Sequence, residues 1–373
     1  RWCKQPVNSV IDIYCGVPDG NIVANVGQQE RRSVLSWLGN YVSTCSILTA
    51  NSPQAPASSA LASAIPSQTI TIPLLRTGSE YLIYYRISNS LFRAVLDTGS
   101  PFLTIPGTCG ANTKAKTGCY RNQGVPSGLP PTLERFDGFE GEVEWRRGVF
   151  SFVNATGSLI GPPLFTFGVV DDELMSGPGG VFLGLIRDTD SWIRPSFLGQ
   201  AGVSSFVIDL TTARDATAPA CTLTLSTAAV ITGDYVVISD ALRKFGAPVQ
   251  HYCASAMGMS INGVKFWPSD GGKLHVIFDT GVTGMVVSRT LFDERYMQAR
   301  QRREKNLWNE VELDFRTAEG NCMSISARKP LTTIIDPKNA WKKFKGHLIV
   351  VGLAFLDGKK FSVDIDDRRL LLE

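Results

Sequence analysis

Histidine is scarce: His251, His275 and His347 are the only three in 373 residues, and they lie far apart. None of the eight cysteines (3, 15, 45, 109, 119, 221, 253 and 322) forms a Cys-x-x-Cys pair. Neither residue type therefore has the spacing that a zinc site needs. No Gly-x-Ser-x-Gly occurs, and so few histidines leave a nucleophilic triad little material. Gly271-Gly272-Lys273 lacks the spacing and the hydroxyl of a phosphate loop. Charged residues are 19% of the chain and the net charge is +3, too balanced for a nucleic-acid or anionic-membrane footprint. The longest apolar run, Leu348 to Leu356, is broken by Gly352 and falls far short of the ~20 residues of a membrane span. The chain reads as a soluble globular protein.

Turn formers are plentiful. Thirty-five glycines and twenty prolines make about 15% of the chain against about 12% on average, which favours a β-rich architecture over a helical bundle. Apolar residues at 43% can fill sizeable cores, and the length suits two domains. An even cysteine count suits disulfides in an oxidising compartment, although eight cysteines allow 105 pairings. Eight buried free thiols are the alternative. Only Cys109 and Cys119 stand close enough to close an obvious local loop. Asn154-Ala155-Thr156 is the sole glycosylation sequon and points weakly to secretion. The start at Arg1, without methionine or signal peptide, suggests that an N-terminal segment has been removed.

Residues 51–68 are rich in Ser, Ala and Pro, lack charge and read as a linker. Before them, residues 1–50 hold three cysteines and a helix predicted from Gln28 to Val42, with Val34, Leu35, Leu38 and Val42 on one face. This segment is nearly neutral and is expected to be an accessory element rather than a pro-like segment. After the linker come short alternating runs, Thr69–Leu75, Tyr81–Ile87 and Arg93–Leu96, separated by turn residues. A helix is predicted near 290–307, its basic run forming a solvated face. The seven tryptophans are dispersed and read as core or cleft lining.

The informative feature is a repeat. Ala94-Val95-Leu96-Asp97-Thr98-Gly99-Ser100 is echoed 182 residues later by Val276-Ile277-Phe278-Asp279-Thr280-Gly281-Val282. Each copy is followed by an apolar run ending in glycine: Val181-Phe182-Leu183-Gly184, 87 residues after the first Asp, and Ile349-Val350-Val351-Gly352, 73 after the second. One Asp-Thr-Gly is weak, and its Asp is most simply a turn cap. Two copies with matching partners describe two related lobes, 69–210 and 211–373, each presenting one aspartate.

An apolar strand ending in Asp-Thr-Gly delivers a carboxylate into a tight turn. The glycine lets the partner lobe approach, the threonine hydroxyl can bond across to the opposite loop, and Ser100 can donate to the Asp97 carboxylate. Like charges about 3 Å apart cannot both ionise, so Asp97 and Asp279 would share one proton. The ionised partner can then take a proton from water while the other polarises an amide. His275, four residues before Asp279, reads as a strand residue and not as a catalyst.

On these motifs the chain resembles the pepsin-like aspartic proteases over about 69–373. Pro195–Phe206 is similar to the segment after the family's first apolar-apolar-Gly, and Leu348–Phe355 with Phe361–Asp366 is similar to its C-terminal strands. The Cys109–Cys119 loop stands where the family often has a small disulfide loop. The resemblance implies a mainly β, bilobal fold and a cleft that takes peptide or protein substrate in extended form. It implies endopeptidase action through Asp97 and Asp279, supported by Thr98, Gly99, Ser100, Thr280 and Gly281. It implies no metal or organic cofactor. Secretory, extracellular or vacuolar and lysosomal compartments fit, with glycosylation at Asn154.

The chain also departs from the family. Val282 replaces a hydroxyl residue after the second motif. The flap is best matched by Phe136-Asp137-Gly138-Phe139, so its tyrosine is absent, and the usual tryptophan is missing from Ser100–Pro106. Gly180 stands where an acidic residue is usual. A weak or inactive protein serving as a peptide-binding or assembly subunit is therefore the alternative reading.

Overall fold

The computed structural model describes residues 68–78, 80–107, 117–120, 124–136, 139–157, 164–170, 181–187, 195–211, 221–247 and 249–373. Residues 1–67, with the expected accessory segment, the Gln28–Val42 helix and nearly all of the linker, lie outside that description.

The described chain is mainly β, arranged in four multi-stranded sheets with a few short helices. Its strands follow the alternation in the sequence. In Thr69–Pro73 the side chains of Ile70 and Ile72 are buried while their neighbours are more exposed, as a half-buried antiparallel strand requires. Two sheets come from the first half of the chain. One holds Phe182–Gly184, Ser90–Asp97, Glu80–Ile87 and Leu75–Thr77, with Phe150–Phe152 paired to Glu80–Ile87. The other holds Thr104–Pro106, Phe165–Val170, Phe139–Gly148 and Val125–Pro126, with Thr132–Phe136 paired to Phe139–Gly148. An eight-stranded sheet comes from the second half and includes Cys253–Ile261, Leu274–Phe278, His347–Val351 and Met285–Ser288.

The seven-stranded sheet mixes the halves. Thr69–Pro73 pairs with Thr222–Ser226, which pairs with Ser205–Asp209, which pairs in turn with Lys360–Asp364. The boundary expected at 210/211 thus falls inside a sheet to which both halves contribute.

The two aspartate strands sit in equivalent places. Ser90–Asp97 runs parallel to Phe182–Gly184, with Gly184 opposite Asp97. Leu274–Phe278 runs parallel to His347–Val351, with Val351 opposite Phe278. All residues of those two second-half strands are buried, which explains their continuous rather than alternating apolar sequence. Fully burying each such side chain stabilises by about 1.5–3 kcal/mol, so these strands are rigid supports for the turns into which they lead.

The helix predicted over 290–307 is Arg289–Gln301, and the chain leaves it through Arg303 at φ +55°. Its basic run is not wholly solvated. Arg295 is 2% exposed; its Nε donates to Leu307 O at 2.9 Å and its guanidinium pairs with Glu304. Helical periodicity, rather than local charge, turns that one arginine inward, and the carboxylate and carbonyl at the helix end make its burial tolerable. His275 is a buried strand residue between the rings of Phe245 and Phe344. Trp145, Trp308 and Trp341 are buried, whereas Trp267 is exposed. Cys221 and Cys253 are buried free thiols and Cys322 is an exposed one, so an even count does not translate into four bridges. Among the described residues no helix is long and apolar enough to cross a membrane.

Candidate active site

Asp97 closes the half-buried strand Ser90–Asp97 and Asp279 follows directly on the fully buried Leu274–Phe278, so each carboxylate leaves a strand's buried end at a sharp turn. The two turns meet. Thr98 N–H donates to Thr280 Oγ1 at 3.1 Å, and Thr280 N–H donates to Thr98 Oγ1 at 2.9 Å. The hydroxyls then donate onward, Thr98 to Phe278 O at 3.0 Å and Thr280 to Leu96 O at 2.7 Å. Both threonines are buried. Each bond contributes about 0.5–1.5 kcal/mol net, but an unpaired buried group would cost about 1–3 kcal/mol. The lock is therefore worth more as a constraint on register than as a sum of bonds.

The glycines act across the pair. A Cβ on Gly99 would stand 2.3 Å from Asp279 Oδ2, and one on Gly281 would stand 2.6 Å from Asp97 Oδ1. Each glycine leaves room for the opposite carboxylate, while its own N–H holds the near one: Gly99 to Asp97 Oδ1 at 2.7 Å, Gly281 to Asp279 Oδ1 at 2.8 Å. The downstream glycines leave room behind the turns. A Cβ on Gly184 would lie 2.4 Å from Ser100 O, and one on Gly352 would lie 2.0 Å from Val282 O. That close approach is the physical reason for the apolar-apolar-Gly partners, which the sequence displays without explaining.

The carboxyls of Asp97 and Asp279 converge on one spot: a Cβ on Gly281 would stand 2.6 Å from Asp97 Oδ1 and 3.2 Å from Asp279 Oδ1. Burial pushes the Asp279 carboxyl well above the usual carboxylate range, and the adjacent Asp97 carboxyl pushes it further. The Gly281 N–H opposes them. Asp279 is deep in its turn yet keeps part of its surface open to solvent.

Two details differ from expectation. Ser100 is 3% exposed, and its hydroxyl meets no hydrogen-bond partner among the described residues, so it does not donate to Asp97. The Gly99 N–H does that instead. Asymmetry therefore arises from burial and from the neighbouring charge, not from a donor held by one aspartate and missing from the other. Val282 packs against the cluster of Leu242, Ile277, Val286 and Trp341. Its N–H donates to Asp279 O at 3.2 Å and its carbonyl accepts from Leu353 at 2.8 Å. An apolar side chain suits that wall.

Thr132–Phe136 and Phe139–Gly148 form an antiparallel hairpin with Phe136 opposite Phe139. Asp137 and Gly138 lie outside the described residues, as do Gly180 and Cys109, the expected partner of the buried Cys119. Asn154 is exposed at φ +57° just before the Thr156–Gly157 strand, open to modification. The residue that sequence reasoning passed over is Trp145. It is 2% exposed, donates from Nε1 to Thr132 Oγ1 at 2.9 Å, and stands edge-on to Phe102 with ring centroids 5.5 Å apart. Only its place nine residues after Phe136 could have singled it out.

No protein-family model matches the chain, and no curated protein matches its sequence.

Proposed function

We propose that the chain is an aspartic endopeptidase with the bilobal fold of the pepsin-like family. The observation that carries this reading is the Asp97–Asp279 pair, each carboxylate packed against the other turn's glycine at the crossing of two Asp-Thr-Gly turns that bond reciprocally through their threonines. In the resting pair Asp279 holds the proton, because burial and the neighbouring charge both favour its neutral form. Asp97 takes a proton from a water as its oxygen attacks the scissile carbonyl. Asp279 hydrogen-bonds the carbonyl oxygen and gives it its proton, forming a neutral gem-diol. On collapse Asp97 gives the proton it took from water to the amide nitrogen, Asp279 takes one diol proton back, and the amine leaves as the C–N bond breaks, restoring the resting pair. This is general acid–base hydrolysis without a covalent intermediate.

The Thr132–Gly148 hairpin serves as the flap and closes over an extended peptide, and no cofactor takes part. The Val282 departure falls on the partner that carries the proton. A hydroxyl there would stabilise an anion by about 1.5–3 kcal/mol, but a neutral Asp279 needs no such help. The free Ser100 hydroxyl favours the second reading, a weak or inactive peptide-binding subunit, since it leaves the Asp97 anion with one donor fewer. A secretory or other oxidising lumen fits the exposed Asn154 sequon. The test is digestion of a mixed peptide pool from pH 3 to 7, with and without a statine inhibitor. Inhibitor-sensitive internal cleavage supports the protease. Inhibitor binding without cleavage supports the peptide-binding subunit.

A further inference from the structure

The Ser100–Pro106 stretch that follows the first aspartate turn contains no tryptophan, and the space beside it is filled from another strand. Trp145, on Phe139–Gly148, lies against Phe102 at a 70° ring angle. Gly168 makes room for it: a Cβ there would stand 3.3 Å from Trp145 Cζ3, 2.6 Å from Val143 Cγ1 and 3.4 Å from Thr104 Cγ2. Trp145 therefore sits where the hairpin, the Phe165–Val170 strand and the residues after Asp97 converge. Its indole N–H is spent within the hairpin, on Thr132 Oγ1 of the opposite strand. Its carbonyl accepts from both the N–H and the hydroxyl of Ser127, at 3.2 and 2.6 Å.

Phe102, the other side of this contact, is tied to the Asp97 turn. Its carbonyl accepts from Gly184 N–H at 2.8 Å, and Gly184 is the residue opposite Asp97. The neighbouring Ser100 and Pro101 carbonyls accept from Ile186 and Phe197. The hairpin thus meets the aspartate loop through a buried aromatic edge contact, worth about 0.5–1.5 kcal/mol beyond its area. The ring is held at a fixed angle by one hydrogen bond between the hairpin strands.

We propose that Trp145 is a positioning residue, a brace that fixes the Thr132–Gly148 hairpin against the Asp97 loop through its Thr132 hydrogen bond and its Phe102 contact. Its consequence for turnover rests on the protease reading; the brace itself does not.

The experiment compares Thr132→Val, Trp145→Phe, their double variant and Thr132→Ser in the full chain. Hydrogen exchange is followed at the amides of 125–148 and 98–104, and kcat and KM are measured on a cleaved peptide. Thr132→Val removes the acceptor and Trp145→Phe the donor, so each should speed exchange in both segments by about fivefold, the equilibrium weight of one hydrogen bond near 1 kcal/mol. The double variant should be no worse than the poorer single one, and Thr132→Ser should behave as wild type. In an active enzyme the same two variants should lower kcat/KM by about fivefold with the pH profile unmoved. Exchange that rises in the hairpin but not in 98–104, or a double variant in which the effects multiply, would overturn the brace. So would unchanged kcat/KM in an active enzyme. If wild type cleaves nothing, the protease reading fails, and the exchange result alone decides for or against the brace.

Discussion

His251 offers the sharpest quantitative test, because it links the fold's stability to acidity. It lies 2% exposed beside the Trp341 ring and just before Cys253–Ile261, the strand that pairs with the Asp279 strand. Burial, helped by the Arg243 charge, pushes its pKa from 6.5 down to about 3. The sign comes from linkage: a folded pKa below the unfolded one means that the unfolded chain takes up the proton first. Stability is lost as pH falls from about 6.5 towards 3, at up to about 1.4 kcal/mol per pH unit. Relative to pH 7, this one residue should cost about 2 kcal/mol at pH 5 and about 3 kcal/mol at pH 4. Those losses are a large share of the 5–15 kcal/mol typical of a folded domain. The perturbation is His251→Phe, assayed by urea unfolding from pH 7 to pH 4. The variant's stability at pH 7 is immaterial, since the quantity of interest is its slope. Its loss between pH 7 and 5 should be about 2 kcal/mol smaller than that of wild type. Parallel slopes would refute the reasoning and mean that His251 protonates in the folded state near its ordinary pKa.

Asp279 should act in the opposite direction. Its folded pKa is raised, so the stability it contributes is complete below about 3.8 and lost as pH rises through the folded value. Asp279→Asn should therefore unfold less readily than wild type at neutral pH, while hydrolysis falls at least 1000-fold. Asp97→Asn should be equally inactive; residual activity in either pure variant would remove the shared-proton mechanism. Gly99→Ala drives a Cβ to 2.3 Å from Asp279 Oδ2. It should cost about 1–3 kcal/mol by overpacking and about 100-fold in rate by displacing the carboxylate; calorimetry and peptide hydrolysis measure the two. Arg295→Met strands the Leu307 carbonyl and leaves Glu304 only Asn262 and Arg302; it should destabilise by about 1–3 kcal/mol in denaturant titrations, whereas Arg300→Met, on the exposed face, should change little.

The aspartate pair was legible in the sequence because its chemistry is local. An apolar strand end, a carboxylate, a hydroxyl and a glycine must succeed one another without interruption, and the arrangement occurs twice. The apolar-apolar-Gly partners were legible for the same reason, as the continuously buried strand His347–Val351 leaves an unbroken apolar run, Leu348–Val351, just before Gly352. Arg295 was hidden in a charged run because only the helix's packing decides which basic side chain turns inward. Trp145 was hidden because its meaning lies in Thr132 and Phe102, one across a hairpin and the other in the loop after Asp97. Ser100 was misread because whether a hydroxyl finds an acceptor depends on ångström-scale loop geometry rather than on residue type.

The sequence by itself determined the β-rich class, the two-copy plan and the identity of the two acids, all of which rest on composition and short-range pattern. The tertiary structure alone decided which strands share a sheet across the 210/211 boundary, which glycine leaves room for which carboxylate, and which forces raise the Asp279 pKa. These depend on groups far apart in the chain arriving within a few ångströms of one another. Steric exclusion and Coulomb energy act at that distance, and residue order does not encode it.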